Sequence, residues 1–478
     1  MSIPDDPKRP SRPPTGRFGR LARLGALGTR AVPLAIAGVK KRLSGEIDEE
    51  EQQRQREKIL KEAKKTAEAM LKTLGEMKGL PLKIGQMASY IDGLAPPGYE
   101  EKFQEVLKRL QAKAPPLSPE AAEKVIKSEL GAPPEEIFAE FEREPFAAAS
   151  IGQVHRARLR SGERVAVKVQ YPGIDTAIEN DLKTVAVMEQ MIAPIGRRYQ
   201  SKEGLEEIKR VFLAEIDYTQ EAVATDAFRA FFADDPSIVI PRVVHSLTTK
   251  RVLVNEYIDG IDYHTFTQSA PWSQRHVATK TIWKFMFRSL YEYGTLYADP
   301  HPGNYRFIVS KDDDVKIGFL DFGCVRVLSD QMIAGMKRVI LARMRRDDDE
   351  FSRALVEVYG FDPTDEEGWP LYKTYTEQLI RPLTDDEPFL HTKEVARENV
   401  AFIVRGERKI VWKKGEVLPN LPKPLKMPVE NTFVNRLQWG LTSVLAGLEA
   451  DYNFHRLTLP WILGARKPPP GLTVPDPV

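Results

Sequence analysis

Two short motifs in the second half of the chain place oxygen-bearing side chains at spacings that suit phosphate chemistry. The segment YADPHPGNYRF carries Asp299 and Asn304 five residues apart. This is the D-x-x-x-x-N spacing of a kinase catalytic loop, where the aspartate orients or deprotonates the attacking hydroxyl and the asparagine holds Mg²⁺. The triplet Asp321-Phe322-Gly323 follows at the end of a predicted hairpin. Its aspartate would bind the Mg²⁺ that bridges the phosphate oxygens.

An alanine-rich segment upstream occupies the frame of a phosphate-covering loop. That frame is G-x-G-x-x-G-x-V, and here alanine replaces the first two glycines. The residues predicted to contact nucleotide are Ala147, Ala148, Ala149, Ser150, Gly152 and Val154. Lys168 ends the sequence VAVK fourteen residues after Val154, as expected for the strand lysine that holds the α- and β-phosphates. Alanine resists the close backbone approach that glycine permits, so we expect a weaker phosphate cradle and a shifted preference between ATP and ADP.

Two further parts complete the expected nucleotide site. A helical carboxylate must pair with Lys168, and the segment VFLAEIDYTQEAVATDAF offers both Glu215 and Glu221, between which spacing alone does not decide. The stretch NEYI ends a predicted strand, and its Glu256 and Ile258 would meet adenine through their backbone. Each motif alone occurs by chance, but their order along the chain predicts a kinase-type site.

The site departs from protein kinases in two places. Ala298 precedes Asp299 at the position where protein kinases have an arginine that binds an activation-loop phosphate. Control by phosphorylation of that loop is therefore not expected. Only CVRVL separates Gly323 from Ser329, which is a candidate N-cap for the next helix, and no A-P-E follows. So short a segment favours a small or lipid-like substrate, or no such substrate, over a polypeptide.

The elements that must position these residues follow from periodicity and turn signals. Alternating apolar residues predict strands at Gln153–Leu159, Arg164–Gln170, Ser237–Val244 and Arg251–Tyr257, and a hairpin at Tyr305–Phe322. We therefore predict an α+β, bilobal protein-kinase-like fold with an N-terminal helical extension. The predicted parts are a basic arm (1–45), the helical extension (46–145), a small β-rich nucleotide lobe (146–260), a larger helical lobe (261–466) and a proline-rich tail (467–478).

Bulk composition limits the remaining function classes. The 478 residues carry a net charge of +2, so composition gives no reason to expect nucleic acid as a partner. The single cysteine, Cys324, excludes an intramolecular disulfide, and no histidine has metal-site spacing. No run of eighteen apolar residues occurs. Residues 7–45 hold ten Lys or Arg and no acidic residue, which fits a membrane-surface segment, an organelle transit peptide or a disordered tail.

Six motifs together resemble the UbiB/ABC1/ADCK (AarF-like) family of atypical kinases. They are KIGQ (83–86), AAASIGQVHRA (147–157), VAVKVQ (165–170), EIDYTQEA (215–222), DPHPGN (299–304) and DFG (321–323). The resemblance spans about residues 46–460 and implies a kinase-like fold whose helical extension covers the peptide side of the pocket. It implies that Lys83 and Gln86 enter the active site beside an E-x-D pair, Glu215 and Asp217. Glu221 then becomes the partner of Lys168.

The resemblance also implies a function. Members are regarded as weak or suppressed kinases or ATPases that bind ATP or ADP with Mg²⁺ and support synthesis of ubiquinone and related isoprenoid lipids at a membrane. Expected partners are nucleotide, a lipid or quinone precursor and lipid-biosynthesis enzymes, in the cytoplasm at a membrane periphery or in mitochondria or plastids. Some members carry C-terminal transmembrane helices, for which this sequence has no candidate. Two alternatives remain, a nucleotide-switched pseudokinase scaffold and a small-molecule kinase of the aminoglycoside or choline type.

Overall fold

The computed structural model describes residues 118–149, 151–180, 182–183, 216–312, 314–366, 368–405 and 430–472. The predicted basic arm and most of the helical extension, with Lys83 and Gln86, lie outside these ranges, as do Ser150 and Glu215. The chain forms two compact units. Of the described residues, the first unit holds 118–162 and 167–183, and the second holds 163–166 and 216–472.

The described residues of the first unit include two helices and four short strands. They are α1 (Pro119–Leu130), α2 (Pro134–Ile137), β1 (Glu140–Phe141), β2 (Ala147–Ala148), β3 (Gly152–Arg158) and β4 (Arg164–Gln170), whose first residues belong to the second unit. Helix α1 begins with proline at its first turn and ends where Gly131 adopts a left-handed conformation (φ 80°). Ser118 precedes the helix, but its side chain makes no capping hydrogen bond to the backbone.

Strand β3 is the centre of the sheet in the first unit. It pairs antiparallel with β1 and with β2, in registers that set Phe141 opposite Ala157 and Ala147 opposite Val154. Strand β4 lies next to β3, and its alternate valines 165, 167 and 169 are fully buried. The predicted strand Arg164–Gln170 is confirmed, because period-two burial of branched side chains suits a sheet with one covered face.

The second unit holds the remaining elements. Its helices are α3 (Tyr218–Phe231), α4 (Tyr263–Ser269), α5 (Trp272–Tyr293), α6 (Asp330–Met344), α7 (Asp348–Tyr359), α8 (Gly368–Thr384), α9 (Lys393–Arg405), α10 (Glu430–Leu448) and α11 (Phe454–Leu463). Its strands are β5 (Ile238–Val239), β6 (Val252–Glu256), β7 (Thr295–Tyr297), β8 (Tyr305–Val309), β9 (Val315–Phe319) and β10 (Val325–Val327). No helix among the described residues combines the length and apolar character needed to cross a bilayer.

Helix α5 runs through the core of this unit. Strand β7 follows it and leads to the D-x-x-x-x-N motif. Phe285 of α5 is fully buried and stacks on Phe319 of β9, with ring centroids 3.6 Å apart. Strand β9 pairs antiparallel with β8, as the predicted hairpin required, and parallel with β5. Strand β7 follows α5 directly and pairs antiparallel with β10. The two motif-bearing segments, after β7 and after β9, are thus both anchored on the same buried scaffold.

The predicted strand at Ser237–Val244 is much shorter than expected. Only Ile238 and Val239 form a strand, which pairs with β9, and a single bridge joins Val243 to Asn255. Pro241 interrupts the run, because proline has no amide hydrogen to give to a ladder. The apolar pattern therefore predicted burial correctly and strand length incorrectly.

A C-terminal segment clamps the corner between α5 and β7. Gly294 ends α5 in a left-handed conformation (φ 65°), and the Arg466 guanidinium packs directly over it while pairing with Asp330. The backbone amide of Lys467 donates to the backbone carbonyl of Glu292 (2.6 Å), and the Lys467 ammonium pairs with the Glu292 carboxylate. The corner that starts β7 is therefore held from outside by residues far along the chain.

We predict that Gly294→Ala lowers the free energy of unfolding by about 2 to 3 kcal/mol, measured by urea denaturation. Alanine at this position must adopt a left-handed backbone conformation, and its methyl group must displace the Arg466 guanidinium. The matched control is Gly131→Ala, where φ is 80° and no atom lies within 4 Å of the added carbon. That control should cost only about 1 kcal/mol of backbone strain. Equal losses in the two variants would contradict the clamp.

Candidate active site

The segment after β7 is folded into a tight turn by its own polar groups. The amide of Ala298 donates to the carbonyl of Cys324 (2.9 Å), which ties this segment to the residue after D-F-G. The amide of His301 donates to the carbonyl of Asp299 (2.7 Å), and His301 Nδ1 accepts from the amide of Gly303 (2.9 Å). Asp299 is only 9% exposed. The fold therefore fixes its position, and His301 helps to build the turn.

The amide group of Asn304 is oriented by the same turn. Its Nδ2 donates to the carbonyl of Asp299 (3.0 Å) and lies 3.5 Å from Asp299 Oδ2. A third acceptor, the Tyr297 hydroxyl, lies 3.4 Å away. Because the carbonyl of Asp299 can only accept, the nitrogen of the amide must face the turn. The Asn304 Oδ1 atom consequently faces away from these acceptors, where it can serve as a metal ligand.

The D-F-G triplet brings two carboxylates to one place. Asp321 Oδ1 accepts from the amide of Gly323 (2.9 Å). A side-chain carbon at Gly323 would lie 3.2 Å from Asp321 Oδ1 and 3.4 Å from Glu221 Oε2. Glu221 and Asp321 therefore border the same small space, which the absence of a side chain at Gly323 keeps open.

Helix α3 supplies Glu221 from its first turn, where the side chain is 5% exposed. Asp217 is the N-cap of this helix, accepting from the amide (3.0 Å) and hydroxyl (2.5 Å) of Thr219. Of the two glutamates that the sequence left open, Glu221 is the one seen beside D-F-G, while Glu215 is outside the described residues. The capping role of Asp217 was not predicted, although Asp before a helical run is a common N-cap signal.

Tyr297 is a site residue that the sequence analysis missed. It is 1% exposed, and its ring meets those of Phe228, Phe285 and Phe322 edge-on at 5.2 to 6.0 Å. Burial is the main cause that raises the pKa of its hydroxyl well above the usual value, and neighbouring Tyr305, Asp321 and Asp299 add to the effect. A tyrosine in an apolar strand resembles ordinary core, so only its position two residues before Asp299 could have drawn attention to it.

The predicted phosphate-side residues of the first unit lie on a hairpin and a strand. Ala147 and Ala148 form β2, and the amide of Ala149 donates to the carbonyl of Gly152 (2.7 Å), which closes the hairpin to β3. Val154 is opposite Ala147 in the ladder. Lys168 lies on β4 and is half-buried. The roles of these residues toward nucleotide stay predictions.

The predicted adenine contacts stand at the end of β6 in the second unit. The amide of Glu256 donates to the carbonyl of Arg242 (2.8 Å), and the amide of Tyr257 donates to the carbonyl of Arg164 (3.0 Å). These two donors are therefore already used within the protein. Ile258 packs its side chain over Gly318 of β9, which leaves its backbone as the part of this residue that could meet a base.

Two motif residues have structural roles. His155 is fully buried and stacks on Phe141 (5.0 Å), with Nδ1 next to the carbonyl of Glu142 (2.9 Å) and Nε2 next to Gln153 Nε2 (3.1 Å). The carbonyl of Glu142 can only accept, so His155 Nδ1 carries the proton and His155 Nε2 accepts from Gln153 Nε2. Burial lowers the pKa of His155 and keeps it neutral. Cys324, beside D-F-G, is 1% exposed and packs as a small residue of the core.

The donor set at the catalytic turn fits Mg²⁺ delivered with a nucleotide. Asp321 and Asn304 offer hard oxygen ligands, the kind Mg²⁺ prefers, and Mg²⁺ sites of this sort use one or two protein side chains plus phosphates. Within the described residues no group of three or more His, Cys, Asp or Glu is arranged to hold a metal by itself. Asp321 and Asn304 therefore suit a metal that also binds phosphate oxygens.

The segment after D-F-G is as short in the structure as in the sequence. Val325–Val327 form β10 against β7, and Ser329 caps α6 by accepting from the amide of Met332 (3.2 Å). The backbone is thus committed to a strand and a helix immediately after Gly323. These elements leave no extended segment here on which a peptide could dock.

Comparison with known proteins assigns the chain to a family. A sequence model of the ABC1 atypical kinase-like domain matches residues 109–355. The uncharacterized protein slr0889 of Synechocystis is 33% identical over 61% of this chain and 73% of its own length. The probable protein kinase UbiB of Marinobacter nauticus is 34% identical over 57% of this chain and 50% of its own length. The chain thus spans about half the length of several curated relatives that it matches.

A solved structure supports the fold. Rv3197 of Mycobacterium tuberculosis, determined in complex with erythromycin, superposes with a TM-score of 0.56 over 84% of this chain and 97% of its own, at 24% identity. At that identity the likeness concerns the fold alone. Together with the match to residues 109–355, it shows that the predicted α+β kinase-like fold is correct and that the chain belongs to the ABC1 atypical kinase-like family.

Proposed function

We propose that this protein binds ATP or ADP with Mg²⁺ and acts as an atypical kinase or ATPase that supports ubiquinone or related isoprenoid lipid synthesis at a membrane surface. The observation that carries the proposal is the arrangement of Asp299, Asn304 and Asp321 on one buried scaffold, with the Asn304 Oδ1 atom turned away from its turn. Such an arrangement suits phosphoryl transfer, in which the protein contributes mainly positioning and charge.

Three side chains of the second unit, those of Asp299, Asn304 and Asp321, have roles in this proposal. Asn304 Oδ1 and the Asp321 carboxylate would hold Mg²⁺, which when bound neutralises charge on the phosphate oxygens. Asp299 orients a hydroxyl or water and accepts its proton. The amide of Gly323 keeps one oxygen of Asp321 in place, so that the carboxylate is already oriented.

The first unit contributes the phosphate contacts. Lys168 is assigned to the α- and β-phosphates, with Glu221 as its partner. Ala147 and Ala148 of β2 carry methyl groups at positions where glycine would allow the backbone to approach phosphates more closely. We expect slow turnover and a shifted preference between ATP and ADP as the result.

The proposed role in lipid synthesis and the proposed location rest on the names of relatives in the family. The relative UbiB and the relative named atypical kinase COQ8B, mitochondrial, support a place in quinone-related metabolism. Other relatives are named as chloroplastic. We propose peripheral contact with a membrane, in the cytoplasm or in an organelle, and an acceptor that is small or lipid-like because no peptide-docking segment follows D-F-G.

The test is Mg²⁺-dependent phosphate release from ATP by the purified full chain, with and without anionic vesicles. We expect slow release that EDTA stops and that vesicles increase. In parallel, a bacterial strain lacking its own family member should regain ubiquinone when it expresses this chain. Nucleotide binding without any release would instead support the nucleotide-switched scaffold. Absence of both binding and release would contradict the proposed function.

A further inference from the structure

Tyr297 connects the two segments that carry the proposed metal ligands. It is the last residue of β7 and is paired with Val325 of β10, so its backbone is held by the β7–β10 ladder. Its ring lies edge-on to Phe322 of D-F-G (5.8 Å), and its hydroxyl lies 3.4 Å from Asn304 Nδ2. One side chain therefore touches the residue next to Asp321 and the side chain of Asn304.

The contact with Tyr297 adds to the groups that orient the Asn304 amide. Its nitrogen has two acceptors on Asp299, the carbonyl at 3.0 Å and Oδ2 at 3.5 Å, and both belong to the turn after β7. The Tyr297 hydroxyl is the third acceptor, and it comes from a buried strand. It thus ties the amide to the core and limits rotation of the amide plane about the last side-chain torsion, which is otherwise broad.

We propose that Tyr297 is a positioning residue that aims the Asn304 Oδ1 atom at the metal–nucleotide complex. This inference rests on the proposed function, because it assigns Tyr297 a part in holding that complex. The aromatic ring alone would fill the core among Phe228, Phe285 and Phe322, so a phenylalanine would suffice for packing. The hydroxyl is the part of the side chain that serves the site.

The test compares Tyr297→Phe with the wild-type full chain in binding of Mn²⁺–ADP, with Mn²⁺ as a paramagnetic substitute followed by electron paramagnetic resonance. Loss of one buried hydrogen bond should weaken binding about 3- to 10-fold. Binding of ADP without metal, followed by thermal shift in EDTA, should change less than 2-fold by the same reasoning, because the hydroxyl acts only on the metal ligand. Phosphate release should show a higher Mg²⁺ requirement, with the maximal rate reduced less.

The matched control is Tyr293→Phe. This variant also deletes a buried hydroxyl, which bonds to the carbonyl of Phe231 (3.3 Å), and it keeps the ring stacked on Phe231. It should leave Mn²⁺–ADP affinity unchanged. Equal affinity in Tyr297→Phe and wild type, or equal losses in both variants, would overturn the positioning role. Failure of the wild type to bind Mn²⁺–ADP would instead overturn the proposed function on which this inference rests.

Discussion

Asp321→Asn is expected to slow Mg²⁺-dependent phosphate release from ATP by about 100- to 1,000-fold, the range seen when one electrostatic contact to a transition state is removed. Asparagine keeps an oxygen that can accept from the amide of Gly323, so the local fold should persist. It lacks the negative charge that holds Mg²⁺ against the phosphates. The rate is measured on the purified full chain at saturating ATP and a range of Mg²⁺ concentrations.

The free energy of unfolding of Asp321→Asn should not fall together with its activity. The Asp321 carboxylate borders the carboxylate of Glu221, so removal of one negative charge lowers the repulsion between these two groups. We expect an unchanged or slightly higher free energy of unfolding. Asp314→Asn, at an exposed position before β9, serves as the matched control and should retain full activity. A variant at position 321 that keeps more than about a tenth of the wild-type rate would remove this residue from the proposed metal site.

The second large effect concerns His391 and acid. This residue is 5% exposed, among the rings of Trp283, Phe389 and Phe454 at 4.9 to 5.7 Å. Neither of its ring nitrogens has a hydrogen-bond partner among the described residues. Burial lowers the pKa of His391 to about 3. The folded protein therefore holds a neutral imidazole at a pH where the unfolded chain binds a proton.

The direction of the pH dependence follows from this difference. The stability linked to His391 is fully present above the unfolded pKa of about 6.5 and is lost as the pH falls from there toward 3. Each pH unit in that window should remove about 1.4 kcal/mol, so between pH 7.5 and pH 5 the loss is about 2 kcal/mol.

The measurement is urea unfolding of wild type and His391→Phe across pH 5 to 7.5. Phenylalanine suits the surrounding rings and cannot bind a proton, so the variant should lose about 2 kcal/mol less than wild type over this range. His264→Gln, a change at an exposed position on α4, controls for removal of a histidine at the surface. Parallel pH profiles for wild type and His391→Phe would contradict the assignment.

Residues that carry local signals were predicted well. Alternating valines fixed strand Arg164–Gln170, an acidic turn marked the β8–β9 hairpin, and Ser329 before an apolar helix marked the start of α6. The D-x-x-x-x-N and D-F-G motifs could be found for the same reason, since spacing can be read directly from the sequence, and their catalytic roles stay predictions. The assignment to a kinase-like fold followed from motif order and was confirmed.

Properties that arise from distant neighbours could not be predicted. Tyr297 and His391 have ordinary sequence surroundings, and their roles depend on residues that folding brings close, such as Asn304 for the first and Phe454 for the second. Pro241 shortened a strand that apolar periodicity favoured, because burial and ladder hydrogen bonding are separate requirements. The single orientation of the Asn304 amide likewise follows from three acceptors that no pattern of residue types specifies.

The clamp of Arg466 on the α5–β7 corner also sets an order of events during synthesis. Arg466 and Asp330 are separated by 136 residues. A ribosome adding about 5 to 20 residues per second needs roughly 7 to 27 s to travel that distance. During this interval the nascent chain already contains every proposed catalytic residue, yet the Gly294 corner is uncovered. The corner that starts β7 is therefore completed only after residue 466 has been synthesised, long after the residues of the candidate site.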